Sequence, residues 1–309
     1  MRKLLAYAAI YFLWSGSYLA IRILVAGDHP VPPFFAAAVR FTLAGAILLL
    51  WSGLSGPIEI TRRGLASAAA LGMVMFTFDY ASLFWAETRV ASGLAAVVLA
   101  LIPVWICAGE IFVLRTLRAT VLSLAGIALG FLGVVVLSLH THGSVHTSTL
   151  AMIVMIAATL SWSFGTLWSR RLTLPRPHQA NAGLQMLFGG IYLFVLSIGA
   201  GELRRLPPAA ILFSPRMILS MAYLIVAASI ISYTAYVWLI ANDSPTRVSS
   251  YAYVNPVFAL ILGATLAGER LTPLQIAGTA LILVGVVATL MGKSVSAPTM
   301  DRQKQEEAA

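Results

Sequence analysis

Ten long apolar runs, each close to the length that a helix needs to cross a lipid bilayer, constrain the fold of this chain more than any other feature. A helix crosses the hydrocarbon core in about 20 residues. The strands of a membrane barrel would instead alternate apolar and polar residues over about 10 positions. Because the runs are continuously apolar, the sequence predicts an all-α integral membrane protein with ten transmembrane helices. The runs lie at roughly 4–23, 33–52, 65–86, 91–114, 119–139, 149–169, 180–200, 217–241, 247–268 and 273–291.

The composition fits a chain whose solvent is lipid. Hydrophobic residues make up 60% of the 309 positions and charged residues only 10%, whereas a soluble domain carries about 25% charged residues. The formal net charge of +9 could indicate a nucleic-acid partner, but the sequence shows no continuous basic face and no RNA-binding signature. We therefore expect contact with the bilayer and no nucleic acid. The single cysteine, Cys107, excludes a disulfide framework and a cysteine metal site.

The positions of Lys and Arg predict the orientation in the membrane, because cytoplasmic loops carry the excess of these residues. If the N-terminus is cytoplasmic, 13 of the 20 Lys and Arg residues fall on the inner side and 6 on the outer side, with Arg40 inside a run. Arg204 and Arg205, on the outer side, run against this assignment. The opening MRKLLAYAAIYFLW resembles a signal peptide, but its apolar run continues to residue 21, so we expect a retained helix. Both termini are predicted to be cytoplasmic, in a multi-pass protein of the bacterial inner membrane.

The two halves of the chain repeat each other. WSGSYLAIR at 14–22 returns as WSFGTLWSR at 162–170. Further correspondences follow in the same order, pairing Arg40 with Gln185, Pro103 with Pro256, Gly126 with Gly278 and Gly133 with Gly285. Each unit contains five runs, and five is odd, so the second unit must be inverted relative to the first. We predict a first repeat at 1–145, a second at 146–292 and a polar cytoplasmic tail at 293–309. Inverted repeats are typical of secondary transporters, whose substrate sites lie near the midplane, although channels and some intramembrane enzymes also contain repeats.

The sequence resembles a known transporter family over residues 4–291. The stretch SSYAYVNPVFALILGATLAGERLTPLQIAGTALILVGVV at 249–287 is similar to the second repeat of the EamA family, in the drug/metabolite transporter superfamily. WSGSYLAIR resembles the first helix of that family, FFAAAVRFTLAG the second and SGLAAVVLALIPV the fourth. The resemblance implies a ten-helix carrier that exports amino acids, related metabolites or toxic compounds. The chain departs from repeat symmetry at Leu117, where the second repeat has Glu269.

Three charged residues, Arg40, Asp79 and Glu110, lie inside the predicted spans. A charge at the bilayer centre costs about 2.5–3.5 kcal/mol on insertion scales, so each needs a partner or water. At 1.5 Å per residue, Arg40 and Asp79 both lie about 10 Å below the outer surface. Their equal depth predicts an Arg40–Asp79 pair, direct or through water, which serves either substrate binding and gating or only structure. Glu110, near the inner end of its helix, is predicted to form a solvated charge pair with the arginines that follow it, with a proton-relay role of a buried carboxylate as the alternative.

Helix breaks and aromatic residues complete the predicted transport site. Pro103 and Pro256 interrupt corresponding helices, and each proline leaves a backbone carbonyl without its usual donor. Paired breaks at matching positions indicate a transport site, with ordinary kinks as the alternative. Trp and Tyr give a cavity apolar faces with a polar handle. The cavity candidates are Trp14, Ser15, Arg40, Asp79, Trp162, Ser163, Tyr236, Tyr251, Tyr253 and Asn255.

Together these features predict a secondary carrier that moves a small-molecule substrate by alternating access, with export as the expected direction. Facilitated or uptake transport of the same solutes remains an alternative, and coupling to protons stays open. The Walker loop, HExxH and GxSxG motifs are absent from the sequence, which argues against ATP hydrolysis and the corresponding intramembrane enzymes. The loop HTHGSVH lacks a supporting carboxylate, so no metal or cofactor is expected. The sequence identifies neither the substrate nor the oligomeric state.

Overall fold

A computed structural model describes residues 1–138, 149–268, 272–292 and 294–295 of the chain. These residues form long helices joined by short connections. The helices are α1 (Arg2–Val25), α2 (Pro33–Ser55), α3 (Arg62–Glu87), α4 (Ser92–Val113), α5 (Val121–Ser138), α6 (Thr149–Ser169), α7 (His178–Gly199), α8 (Pro215–Asn242), α9 (Tyr251–Leu266) and α10 (Pro273–Met291). Two short strands, β1 (Leu117–Arg118) before α5 and β2 (Ser294–Val295) after α10, pair antiparallel.

Local chemistry sets the helix ends. Pro33 and Pro215 occupy the first turns of α2 and α8, where proline removes no intrahelical hydrogen bond. The Thr61 side chain accepts a hydrogen bond from the Gly64 backbone N–H at 2.9 Å and caps α3. Within the described residues, four helices contain a π-helical segment, at Ala9–Leu13, Gly72–Phe78, Gly109–Val113 and Leu224–Tyr233. In these segments the helix widens by about one residue per turn.

The distribution of polar and apolar side chains is that of a protein dissolved in lipid. Large apolar residues such as Leu50, Val195 and Leu219 are exposed on the outside of the bundle. Charged and amide side chains, including Arg40 and Gln185, are buried inside it. In water this arrangement would expose apolar surface and desolvate charge. In a bilayer the apolar exterior meets hydrocarbon, which is the arrangement expected for membrane-spanning helices.

Glycines let α5 and α10 pack backbone to backbone. A Cβ atom placed on Gly126 would lie 2.6 Å from the carbonyl oxygen of Gly285, and one placed on Gly133 would lie 2.8 Å from that of Gly278. Small residues permit such close approach in membrane helices. The order of contacts is reversed along the two helices, since Gly126 meets Gly285 and Gly133 meets Gly278. Helices α5 and α10 therefore run antiparallel.

Helices α2 and α7 pack in the same way. A Cβ on Gly45 would lie 2.7 Å from the backbone nitrogen of Leu187, and one on Gly190 would lie 2.6 Å from that of Thr42. The order of contacts is again reversed between the two helices, so α2 and α7 are also antiparallel.

The observed helices can be compared with the apolar runs predicted from the sequence. Each of the ten predicted apolar runs coincides with one of the helices α1 to α10. In the described residues, seven helices are long and apolar enough to cross a membrane, and three shorter apolar segments lie in α5, α9 and α10. The predicted all-α chain is confirmed for this part of the sequence apart from the two-residue strands, whereas the count of ten spans stays a prediction. Glu269 and the histidine loop lie outside the described residues.

Candidate functional site

Aromatic side chains from five helices meet at the centre of the bundle. The rings of Trp14 (α1) and Trp162 (α6) lie 5.9 Å apart, centre to centre, with their planes at 83°. Tyr236 of α8 contacts both rings, at 5.3 and 5.4 Å, and Tyr251 of α9 lies 5.1 Å from Trp14. Tyr80 of α3 lies 6.0 Å from Trp162. Edge-to-face contacts of this kind stabilise aromatic clusters beyond their buried area, and we call these five residues the aromatic cluster.

Hydrogen bonds fix the cluster to the surrounding helices. The indole N–H of Trp14 donates to the Ala228 carbonyl oxygen at 2.9 Å. The hydroxyl oxygens of Tyr236 and Thr166 lie 2.6 Å apart and share a hydrogen bond. Because buried hydroxyl and N–H groups are costly without partners, these bonds hold the rings of α1 and α8 in one orientation.

A chain of amide and hydroxyl groups lies beside the cluster. The Tyr233 hydroxyl donates to Gln185 Oε1 at 2.5 Å, and Gln185 Nε2 donates to Asn181 Oδ1 at 2.7 Å. All three side chains are buried. This series of hydrogen-bonded side chains places polar but uncharged groups against the aromatic cluster.

A cavity of about 370 Å³ leads from one end of the bundle to the cluster. Its deep wall contains Tyr233, Tyr236 and Gln185, and its mouth contains Arg170 and Arg176. Ligand pockets for small molecules occupy roughly 300–1,000 Å³. The cavity therefore has room for a small metabolite, and its mouth is positively charged.

A second, smaller cavity borders the aromatic cluster. Its volume is about 30 Å³, and its lining includes Trp14, Asp79, Trp162 and Tyr251. This space accepts a molecule about the size of water. The aromatic cluster thus lines both an open cavity and a small space that contains a carboxyl group.

The predicted direct pair of Arg40 and Asp79 is not formed. Among the described residues, no ion pair within 4.0 Å joins them. Arg40 Nε instead donates to Ser229 Oγ at 2.9 Å, and the guanidinium carbon lies 4.6 and 4.9 Å from the ring centres of Phe41 and Tyr80. The direct form of the pair is absent because equal depth does not fix the rotation of a helix, and α2 turns Arg40 toward α8. A contact through water stays a prediction.

Ser15 and Asn255 join α1 to α9. The Asn255 amide nitrogen, placed by its acceptors, donates to the Tyr11 carbonyl at 2.8 Å and approaches Ser15 Oγ at 3.2 Å. Ser15 Oγ also donates to the Tyr11 carbonyl, at 2.5 Å. These side chains hold the π-helical segment of α1. The side chain of Tyr253 lies outside the described part of the chain.

The two prolines have different effects. Pro103 follows an interruption of α4 between Leu99 and Ile102, and Ser163 Oγ donates to the Ile102 carbonyl at 3.2 Å. Pro256 lies inside α9, which continues through it. An interruption is therefore observed next to Pro103, whereas α9 is continuous through Pro256 and the kink expected there stays a prediction.

Glu110 differs from its prediction as well. Its side chain is only 8% exposed, so it is not the solvated group that its position near the arginines suggested. It lies in the π-helical segment of α4, which turns it into the bundle.

At the end of the bundle where the larger cavity opens, Asp243 binds α1. Lys3 Nζ lies 2.6 Å from Asp243 Oδ2, and the Tyr7 hydroxyl donates to the same oxygen at 3.0 Å. Burial raises the pKa of Asp243, but the hydrogen bonds from Lys3, the Ser244 backbone and Tyr7 outweigh it and lower that pKa below its usual value. Asp243 is therefore a carboxylate that ties the start of α1 to the end of α8.

At the opposite end, two contacts close the bundle. Glu202 accepts hydrogen bonds from the backbone N–H groups of Phe34 and Phe35 at 3.2 and 2.8 Å, which stabilises the N-terminus of α2. Arg22 Nη1 donates to the Glu87 carbonyl. The structure is thus open toward Arg170 and Arg176 and tied together at the other end.

Sequence reasoning missed Tyr80, Tyr233, Asn181, Gln185 and Thr166 as site residues. Tyr233 stands three positions before Tyr236, which places both on one face of α8. Gln185 occupies the position equivalent to Arg40 in the repeat. Both signals were present in the sequence, whereas the contribution of Tyr80 depends on how α3 rotates.

Comparisons with known proteins agree with this architecture. YedA of Escherichia coli (strain K12), named an uncharacterized inner membrane transporter, is 35% identical over 92% of this chain and 89% of its own length. A probable amino-acid metabolite efflux pump of Salmonella typhimurium (strain LT2) is 27% identical over 92% of this chain and 93% of its own length. A protein of known crystal structure, whose name states no function, has a TM-score of 0.65 and covers 94% of this chain and 98% of its own. At 22% identity, it shows the fold alone.

The sequence pattern of one family matches the chain twice. The EamA-like transporter family matches residues 2–139 and again residues 149–291. The apolar helices, the inner membrane relative and this double match agree on a protein that crosses the membrane several times. The chain therefore belongs to the EamA-like transporter family and is a multi-pass membrane transporter.

Proposed function

We propose that this transporter moves a small metabolite by alternating access, with the aromatic cluster as the centre of its substrate site. The observation that carries the proposal is the 370 Å³ cavity that opens at one end and stops at Tyr236. At the other end, Glu202 and Arg22 hold the helices together. A carrier open to one side only, with a binding-sized cavity at the barrier, suits alternating access.

The proposed architecture has ten spans in two inverted repeats, at 1–145 and 146–292, followed by a cytoplasmic tail at 293–309. The antiparallel contacts of α2 with α7 and of α5 with α10 support it, because each helix packs against its equivalent in the other repeat. Such reciprocal contacts are those of a two-fold arrangement. The excess of Lys and Arg supports cytoplasmic termini, which makes the open end of the cavity the cytoplasmic one.

The proposed substrates are amino acids or related compounds, moved outward from the cytoplasm. The aromatic rings suit an apolar side chain. The amides of Gln185 and Asn181, together with Arg170 and Arg176 at the mouth, suit a carboxylate. The name of the Salmonella typhimurium relative, a probable amino-acid metabolite efflux pump, supports the same substrate class and direction.

A two-step experiment tests this proposal. A metabolite screen of cells that overproduce the full-length chain identifies solutes whose release increases. The purified protein is then placed in liposomes, and counterflow of each radiolabelled solute is measured. A carrier shows saturable flux and counterflow, a channel shows flux without counterflow, and an enzyme returns a chemically altered solute.

Two tryptophan variants locate the site. Trp162 is buried in the cluster, at 3% exposure, while Trp51 is 52% exposed on the outside of α2. We expect Trp162→Ala to reduce counterflow at least about tenfold, which corresponds to about 1.4 kcal/mol, and Trp51→Ala to retain it. Equal activity of the two variants would contradict the placement of the site.

A further inference from the structure

Asp79 is a buried carboxyl group without a counter-charge in contact. It is 2% exposed, and within the described ranges its Oδ1 atom has no hydrogen-bond partner. No Lys, Arg or His nitrogen of these ranges lies within 4.0 Å of its oxygens. An isolated carboxylate in a low-dielectric interior is costly, so such a group holds either a proton or a cation.

The space next to Asp79 has the chemistry of a cation site. Trp14, Trp162 and Tyr251 line the same 30 Å³ cavity. The Trp14 ring centre lies 5.9 Å from that of Trp162 and 5.1 Å from that of Tyr251. Aromatic ring faces attract cations, and cages of Trp and Tyr bind ammonium groups. An ammonium head group is about the size of the water molecule that this volume accepts.

Other charged and titratable groups face Asp79 from the helices packed around it. They are Arg40 on α2, Tyr18 on α1, Tyr80 on α3, Tyr236 on α8 and Tyr251 on α9. Leu99 and Ile102 of α4 and Trp162 of α6 add neutral walls. Arg40 is held by Ser229 and two aromatic rings. Its charge repels a second cation, so an ammonium group is best placed on the tryptophan side of Asp79.

We propose that Asp79 is the ammonium subsite of the transport site described above and that it exchanges a proton for the substrate's amino group. With the cavity empty, Asp79 carries the proton. When an ammonium group enters, the carboxyl O–H bond breaks and the proton leaves to water on the side from which the substrate came. The ammonium keeps its three protons and pairs with the carboxylate. This inference rests on the proposed function and specifies its substrates as amines or zwitterionic amino-acid derivatives.

The exchange couples transport to protons. After the substrate leaves on the opposite side, Asp79 takes a proton from that side and returns with it. One proton then enters for each substrate molecule that leaves. The larger cavity contributes the positive mouth of Arg170 and Arg176, which favours substrates that carry a carboxylate in addition to the amino group.

The test uses the full-length protein in detergent and weak buffer, with phenethylammonium as the probe. Binding is followed by tryptophan fluorescence, because Trp14 and Trp162 line the cavity, and proton release is followed by a pH indicator. We expect about one proton released per bound probe. We also expect the dissociation constant to fall about tenfold for each unit of rising pH while Asp79 is protonated, as one-for-one exchange requires. Phenylpropionate, which lacks the amino group, should release none.

Two variants complete the design. Asp79→Asn should bind phenethylammonium at least about tenfold more weakly and release no proton, while Asp79→Glu should retain proton release. Wild-type affinity in Asp79→Asn, or binding to the wild type without proton release, would overturn the proposal. The wild-type measurement keeps the test decisive if Asp79→Asn does not fold. Because these measurements record binding alone, a failure of counterflow would refute the proposed function and leave the ammonium subsite standing.

Discussion

Replacing Gly285 by alanine adds a single methyl group where the backbones of α5 and α10 are in close contact. The new Cβ atom would lie 2.5 Å from the backbone nitrogen of Gly130 and 2.7 Å from the carbonyl oxygen of Gly126. Both are backbone atoms, so no change of rotamer relieves the overlap, and the helices must separate. Overpacking of this kind costs about 1–3 kcal/mol.

A helix gains up to about 1 kcal/mol when alanine replaces glycine, which offsets part of that cost. We therefore expect Gly285→Ala to lower the free energy of unfolding by about 1–2 kcal/mol. Gly133→Ala should behave alike, since its Cβ would lie 2.8 Å from the Gly278 carbonyl oxygen and 2.7 Å from Ile282 Cγ1. The similar losses follow from the reciprocal packing of the two helices.

Gly53 provides the matched control. It lies in α2, and the nearest atom to a Cβ placed there is Ile58 Cδ1 at 3.9 Å, an ordinary contact. The assay heats the full-length protein in detergent and measures the fraction that remains monodisperse by size-exclusion chromatography. Gly285→Ala should lose its native peak at a lower temperature than wild type, and Gly53→Ala should not. A Gly285→Ala protein as stable as wild type would refute the close backbone packing.

Three further predictions concern the site and the two ends of the bundle. Tyr236→Phe removes the hydroxyl that shares a 2.6 Å hydrogen bond with Thr166; we expect a loss of about 0.5–1.5 kcal/mol in stability, measured by the same heating assay, with the ring contacts kept. Asp243→Asn removes the partner of Lys3, a half-exposed side chain, and should cost at most about 1 kcal/mol. Folding lowers the pKa of Asp243, so the stability that its carboxylate contributes is complete above the unfolded pKa of about 3.9. The stability difference between wild type and Asp243→Asn should shrink as the pH falls below that value and through the folded pKa. An unchanged stability difference at pH 2 would contradict the assignment. Glu202→Ala leaves two backbone N–H groups of α2 without their acceptor, and we expect it to lower stability by about 1–2 kcal/mol. No measurable change in stability would show that the contact is incidental.

The helices could be predicted from the sequence because lipid imposes a strong length rule. An apolar run of about 20 residues has few alternatives to a membrane helix, and prolines such as Pro33 and Pro215 fix where helices begin. The repeat matched Gly126 and Gly285 to glycines of the other half, but their contact with each other is known only from the structure. The π-helical segments could not be predicted, because they depend on tertiary contacts such as that of Asn255 with the Tyr11 carbonyl.

The site was only partly predictable, since depth along a helix is easier to read than rotation about it. The repeated Trp-Ser element placed Trp14 and Trp162 near each other at mid-membrane, and their rings do meet. Arg40 and Asp79 were matched by depth alone, but side-chain packing turns Arg40 toward Ser229. Tyr80 enters the cluster for the same reason, because the rotation of α3 is set by its neighbours.

The π-helical segments distinguish two sets of helices that are expected to differ in stiffness. They occur in α1, α3, α4 and α8, and each of these helices contributes residues to the small cavity, to the larger cavity or to both. In the residues that the structure describes, the glycine-packed helices α2, α5, α7 and α10 contain no such segment. A widened turn bends more readily than a regular α-helical one. Elastic deformation during the transport cycle would therefore concentrate in these four cavity-lining helices, while the two antiparallel pairs, of which α7 also lines the larger cavity, serve as a stiff frame that resists shear.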